Sequence, residues 1–168
     1  MRRMVAWMVL GAVPMLAFGM DASKDGAFFK HAAEGGLAEV QAGMLAQDKG
    51  SSQAVKDFAA RMVTDHSAAN QQLQSVAAAE NVRLPTDPSV RQMATYKKLQ
   101  LESGDSFDKA YIRDQLKAHQ QTVALFRKEI ASGHDDAARQ FAMATLPTIR
   151  SHLKMIRQIA ADAGIKTR

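Results

Sequence analysis

The spacing of the helix breakers, more than any single residue, limits what this chain can fold into. Four long stretches carry apolar residues at alternating steps of three and four, the pattern of helices with one buried face. They run from Lys24 to Asp48, from Ser51 or Ser52 to Asn81, from Asp105 or Ser106 to Ser132, and from Asp135 to Ala163. Gly50-Ser51 parts the first pair and Gly133 the second, so each pair must be an antiparallel hairpin. Val82 to Asp105, between the hairpins, holds Thr86-Asp87-Pro88 and a short helix predicted over Ser89–Glu102. That connection is long enough to run the length of a bundle. Two hairpins joined by one long crossover form the ferritin-like kind of all-α four-helix bundle; an up-down-up-down bundle does not need the crossover.

The buried faces then single out four residues. His66 interrupts Val55, Ala59, Met62, Ala69, Leu73 and Val76 on the second segment. His119 interrupts Ile112, Leu116, Val123, Phe126 and Ile130 on the third. On the fourth, His152 interrupts Ala138, Phe141, Ile149, Ile156 and Ile159, with Thr145 a milder break. The first segment has a narrower stripe after Phe28, made of Ala32, Gly35, Ala42 and Ala46, and Glu39 interrupts it. Such small residues let a helix approach its neighbour and leave room for a carboxylate.

All four interruptions lie within about three positions of their segment's midpoint, roughly 4–5 Å along the axis. Midpoints meet at one level whichever way each helix runs, so Glu39, His66, His119 and His152 are expected together inside the core. An unpartnered buried polar group costs about 1–3 kcal/mol, and a lone buried carboxylate costs more. The four must therefore satisfy one another, around a cation or as a hydrogen-bonded network. Three imidazoles and a carboxylate suit one divalent metal ion, zinc first, with iron, manganese or copper also accepted. Asp65, about 100° around the helix from His66, is placed to orient a ligand from behind. Tyr111, two turns before His119, is either a rim residue of the site or packing at a helix edge. His31, near a segment end, and His134, in a turn, are read as exposed and uninvolved. Pro147 removes a backbone donor about one turn before His152 and predicts a kink there.

Composition narrows the rest. The chain has no cysteine, which excludes disulfides, thiolate metal sites and cysteine nucleophiles. Arg2 and Arg3, the apolar run Met4–Phe18 and the small residues of Ala17-Phe18-Gly19 form a signal-peptide pattern over residues 1–19. The run falls short of the about 20 residues a membrane span needs. Residues 20–168 are then one domain, exported to the periplasm or outer envelope, with no membrane span after cleavage. The net charge of +5 falls to +3 without Arg2 and Arg3, too small and scattered for nucleic acid. A partner, if the domain has one, is a protein or envelope component that the sequence does not identify. No Ser-His-Asp order, phosphate loop or paired acids marks a reaction, so an enzyme is not the leading reading.

Several stretches carry a family resemblance. They are Ala32-Ala33-Glu34-Gly35-Gly36-Leu37-Ala38-Glu39 behind Phe28, and Phe58-Ala59-Ala60-Arg61-Met62-Val63-Thr64-Asp65-His66. Phe107-Asp108-Lys109-Ala110-Tyr111 and Thr145-Leu146-Pro147-Thr148-Ile149-Arg150-Ser151-His152-Leu153 complete them. From Ala27 to Ile159 the chain resembles a family of exported bacterial proteins, domain of unknown function 4142, grouped with ferritin-like bundles. The resemblance implies a ferritin-like fold and an envelope location, and implies no activity. The wider ferritin-like group builds two-metal centres from Glu-x-x-His pairs. Here Val63, Leu116 and Ile149 stand three residues before the histidines, so one metal with few carboxylates fits better than a di-iron centre. Three functions stay open: a metal-binding envelope bundle, a metal-free interaction or stress-related module with a Glu/His polar core, and a mononuclear metalloenzyme with an open coordination position.

Overall fold

The computed structural model describes residues 25–166; the signal-peptide pattern of residues 1–19 lies outside them. The described chain forms α1 (Gly26–Lys49), α2 (Gln53–Ala79), α3 (Val90–Leu101), α4 (Gly104–Ser132) and α5 (Asp136–Asp162). Local chemistry sets the ends. Ser52 accepts a hydrogen bond from Val55 N, and Asp135 from Ala138 N, so the second helix of each hairpin opens on a side-chain cap. α3 opens on a reciprocal box between Ser89 and Gln92. α2 and α5 close alike: Asn81 and Gly164 take left-handed φ values of 55° and 67°. The next N–H groups, of Val82 and Ile165, then reach back to the carbonyls of Ala77 and Ala160. One start differs from expectation. α4 begins at Gly104, with Ser103 in the N-cap position but making no side-chain cap in place of the expected Asp105 or Ser106, and Asp105 falls in its first turn, where the helix dipole favours a carboxylate.

α1 packs along α2 and α4 along α5; α2 against α5 and α1 against α4 close the ring, while α3 lies over α1 and α4. Two buried aspartates show which way the crossover runs. Asp108, at the start of α4, accepts from Ser51 N at 2.9 Å, Ser51 Oγ at 2.9 Å and Ser52 N at 2.8 Å. α4 therefore starts at the end of the bundle where α2 starts. Asp25, at the head of α1, accepts from His134 N at 2.8 Å and Asp135 N at 2.6 Å in the α4–α5 turn. α2 and α4 run parallel, and the crossover with α3 carries the chain back along the bundle, which is the ferritin-like connection.

The expected stripe of α1 is buried at Phe28, Ala32, Glu39, Ala42 and Ala46, and the closest approaches to α2 come from Gly36 and Gly43 beside it rather than from Gly35. A Cβ on Gly36 would overlap the Asn70 side chain, and one on Gly43 would lie 2.9 Å from Val63 Cγ2 and 3.0 Å from the Ala59 carbonyl. At Gly35 nothing lies nearer than 4.0 Å. Two aromatic clusters fill the core on either side of the waist. Phe28, Phe126 and Phe141 gather at one end, with ring centroids 5.2–6.3 Å apart. Phe58, Phe107 and Tyr111 gather at the other. α5 continues unbroken through Pro147, whose ring is exposed. Among the described residues no helix is long and apolar enough to cross a membrane.

Candidate metal centre

Between the aromatic clusters, α2, α4 and α5 bring His66, His119 and His152 together at the waist. All three are buried, and their ring centroids are 5.4–5.8 Å apart. One ring nitrogen of each lies within 4.8 Å of those of the other two. The hydrogen bonds assign tautomers to two of them. His119 Nδ1–H donates to the Gln115 carbonyl at 3.0 Å, and His152 Nε2–H donates to Asp65 Oδ2 at 2.8 Å. Their other nitrogens, His119 Nε2 and His152 Nδ1, are buried without a partner among the described residues, as is His66 Nε2.

Burial keeps these rings neutral. It pushes His66 down to about 3, helped by the neighbouring His119 and His152, and His119 down to about 4 against the pull of the Gln115 carbonyl. His152 is lowered too, burial outweighing the bond to Asp65. Neutral imidazoles with free lone pairs are the form that ligates metal. Three orphaned buried nitrogens are also the kind of deficit that a cation removes.

Carboxylates stand behind two of the three rings. Asp65 holds His152 and also accepts from Arg61 Nε at 3.2 Å. Partial burial would raise Asp65, but these hydrogen bonds turn its net shift downward, so it stays charged. Glu39, expected as a fourth ligand, is not in the three-nitrogen group. Its Oε2 accepts from Gln115 Nε2 at 2.7 Å, and its Oε1 lies 3.9 Å from His119 Nδ1, the nitrogen already given to Gln115. Glu39 thus stands beside His119 on the side of its committed nitrogen, and burial pushes it up to about 7 despite Gln115.

Tyr111 is not at a helix edge: it is fully buried, stacked on Phe107 and edge-on to Phe58, and burial first, then the charge of nearby Glu39, push its hydroxyl well above the ordinary value. Its hydroxyl has no partner among the described residues. The side chains of His31 and His134 are exposed, as expected. Gln115, buried to 1 % exposure, escaped the sequence reading. Its signal was available: it lies three residues after Ile112 and four before His119, on the same face.

Two spaces adjoin the site. A cavity of about 40 Å³ is lined in part by Asp65, His66, Thr145, Thr148 and His152, room enough for water. A cleft of about 470 Å³ opens beneath α3 and reaches Glu39 and Gln115.

Residues 13–159 match the family described as domain of unknown function DUF4142. No curated protein sequence matches the chain. Among solved structures, the chain is similar to a DUF305 protein of Streptomyces coelicolor to which secretion is ascribed. The TM-score is 0.72 at 15% identity, over 87% of this chain and 97% of that one. A DUF305 fragment from Deinococcus radiodurans gives a TM-score of 0.71 at 11% identity, over 81% of this chain and 94% of that one. At such identities the likeness speaks for the fold alone.

Proposed function

The chain belongs to the DUF4142 family, and we propose that within it His66, His119 and His152 bind one divalent metal ion in an exported domain. The observation that carries this reading is the trio of buried, unpartnered ring nitrogens, contributed by three different helices. Zinc is the first choice for a three-imidazole donor set, and iron, manganese or copper would accept it. Asp65, and more remotely Glu39, supply the carboxylates that commonly orient ligating histidines. Export rests on the Arg2-Arg3 start and the apolar run before Gly19, with cleavage there leaving residues 20–168. The secretion ascribed to the Streptomyces coelicolor neighbour agrees with it.

Three protein ligands leave a coordination position for water or a substrate, and the small cavity beside His66 and His152 gives that position somewhere to open. This observation favours a mononuclear metalloenzyme as the second reading. A bound cation there would supply Lewis acidity, while Asp65 fixes the ring of His152 and the aromatic clusters limit bulk water.

Elemental analysis of the protein purified from its native host, without an affinity tag, tests the first reading. About one equivalent of a single metal is expected, lost in His119→Ala and kept in His31→Ala. No metal, and melting unchanged by added zinc, iron, manganese or copper, would leave a polar-cored interaction module.

A further inference from the structure

A carboxyl pair that the metal reading does not use holds the end of the bundle where α1 starts. Asp25 immediately precedes α1 but makes no side-chain cap for it. Its carboxylate accepts instead from the backbone N–H groups of His134 and Asp135 across the bundle end. Glu129, in the last turn of α4, meets the same turn from the other side. Its Oε1 is buried and unpartnered among the described residues, and a Cβ on Gly133 would overlap it. Asp25 and Glu129 are within hydrogen-bonding reach of each other, at 7 % and 6 % exposure. Two carboxylates in contact away from water do not both keep a charge, and among the described residues no metal-holding group forms there. They share one proton. Burial alone would raise Asp25, but the bonds from Asp135 and His134 turn its net shift downward, so the proton resides on Glu129.

The other charges at this end do not replace it. Arg139 gives Nη1 to the Gly133 carbonyl and Nη2 to Asp136. His134 stands 3.6 Å from Asp25 with its ring exposed. Asp135, with Glu80 beside it, adds negative charge. Just inside the pair lies the aromatic end of the core. Phe28 packs on Phe126 and Phe141, and those two rings also line the small cavity that has His66 and His152 on its wall. We propose that the proton between Glu129 and Asp25 latches the head of α1 to the α4–α5 turn, and that its loss lets the head and Phe28 swing away from that cavity. The consequence for a bound ion rests on the three-histidine reading above. The strain of an ionised pair falls on the weaker support. Glu129 is hemmed in by Gly133, whereas Asp25 sits at a helix end without a side-chain cap, the kind of element that opens locally at least cost.

An open head ionises Glu129 at its ordinary 4.5 and a latched one at about 7, so the latch weakens as the pH rises across that interval. Hydrogen exchange of the untagged protein tests this, with protection corrected for the intrinsic effect of pH. At Phe29–Ala33, protection should fall by about tenfold or more between about pH 5 and about pH 8. At Asp57–Arg61, towards the opposite end, it should stay level. In Glu129→Gln, whose amide can still donate to Asp25, protection at the head should not change with pH. His134→Gln, which removes the exposed ring, should keep the parent's change. Zinc loaded at about pH 8 should pass to a chelator more slowly from Glu129→Gln than from the parent, by about tenfold. If that variant does not fold, the parent decides, since it must release zinc faster at about pH 8 than at about pH 6, against the order that histidine protonation sets. Level protection at the head, or a fall shared equally by both ends, would overturn the latch. Zinc held but released equally fast by parent and variant would overturn its control of the site. Zinc held by neither would overturn the metal reading, and that control with it, while the exchange result would still decide the latch.

Discussion

His119 and His152 each commit one ring nitrogen to a neighbour, and that choice decides which nitrogen is left for chemistry. For His152 the neighbour is Asp65, partly exposed on the next helix. Asp65→Asn keeps an acceptor but removes the charge, and loss of such an outer partner commonly costs 10–100-fold in metal affinity. Competition with a chelator should therefore show a weakening of about tenfold or more, with the melting temperature of the metal-free protein little changed. Tyr111 makes the opposite case. Its buried hydroxyl finds no partner among the described residues, so Tyr111→Phe removes an uncompensated polar group of the kind that costs about 1–3 kcal/mol. Chemical denaturation should show equal or greater stability; a loss above about 1 kcal/mol would mean that water or Glu39 satisfies the hydroxyl. The placement of Glu39 shows where sequence reasoning stopped at this scale. Periodicity put it at the right level and on the buried side. Whether its carboxylate joins the imidazoles or turns to Gln115 depends on a side-chain partner in another helix, which no count along one helix records.

At the scale of the elements, most of the fold was legible because its signals are local. The polar interruptions fall near the middle of their helices, and Ser52, Ser89 and Asp135 cap where capping chemistry places them. α4 starts one residue before the acid expected to cap it, at Gly104, whose left-handed φ of 55° turns the chain into the helix. The stripe of small residues on α1 is buried as expected except at Gly35, while Gly36 and Gly43 make the close approach to α2, and glycine substitutions expose the difference. Gly43→Ala forces a methyl against Val63 and the Ala59 carbonyl and should destabilise by about 1–3 kcal/mol. Gly35→Ala meets open space and should be neutral, or stabilising by up to about 1 kcal/mol through helix propensity. Thermal melts of the two variants side by side check both signs.

For the whole molecule, the connection length implied the crossover, but the residues that pin its ends were illegible. Asp108 meets Ser51 and Ser52 across 56–57 positions of chain, and Asp25 meets the α4–α5 turn across 109–110. Glu129, at 6 % exposure, completes the second of these ends. Burial first, then Asp25 and Asp135, raise it from 4.5 to about 7. Between those values the folded chain holds a proton that the unfolded chain has released. Glu129's contribution to stability is therefore full below about pH 4.5 and is lost as the pH climbs through 7. Glu129→Gln mimics the protonated form. It should match the parent near pH 4 and exceed it by more than about 1 kcal/mol, less than one pKa unit's worth, near pH 8. Melts at the two pH values test this, and a difference that does not change with pH would count against it.

The division of the three histidines between hairpins has a consequence in time. His66 lies in the first hairpin, and His119 and His152 in the second. An ion held by all three would join two halves that a growing chain makes one after the other, and the place for it would exist only once the crossover had closed. A thread passing unfolded through a membrane would travel empty and load on arrival. The metal found on the protein would then report the compartment where it folded, not the one where it was made.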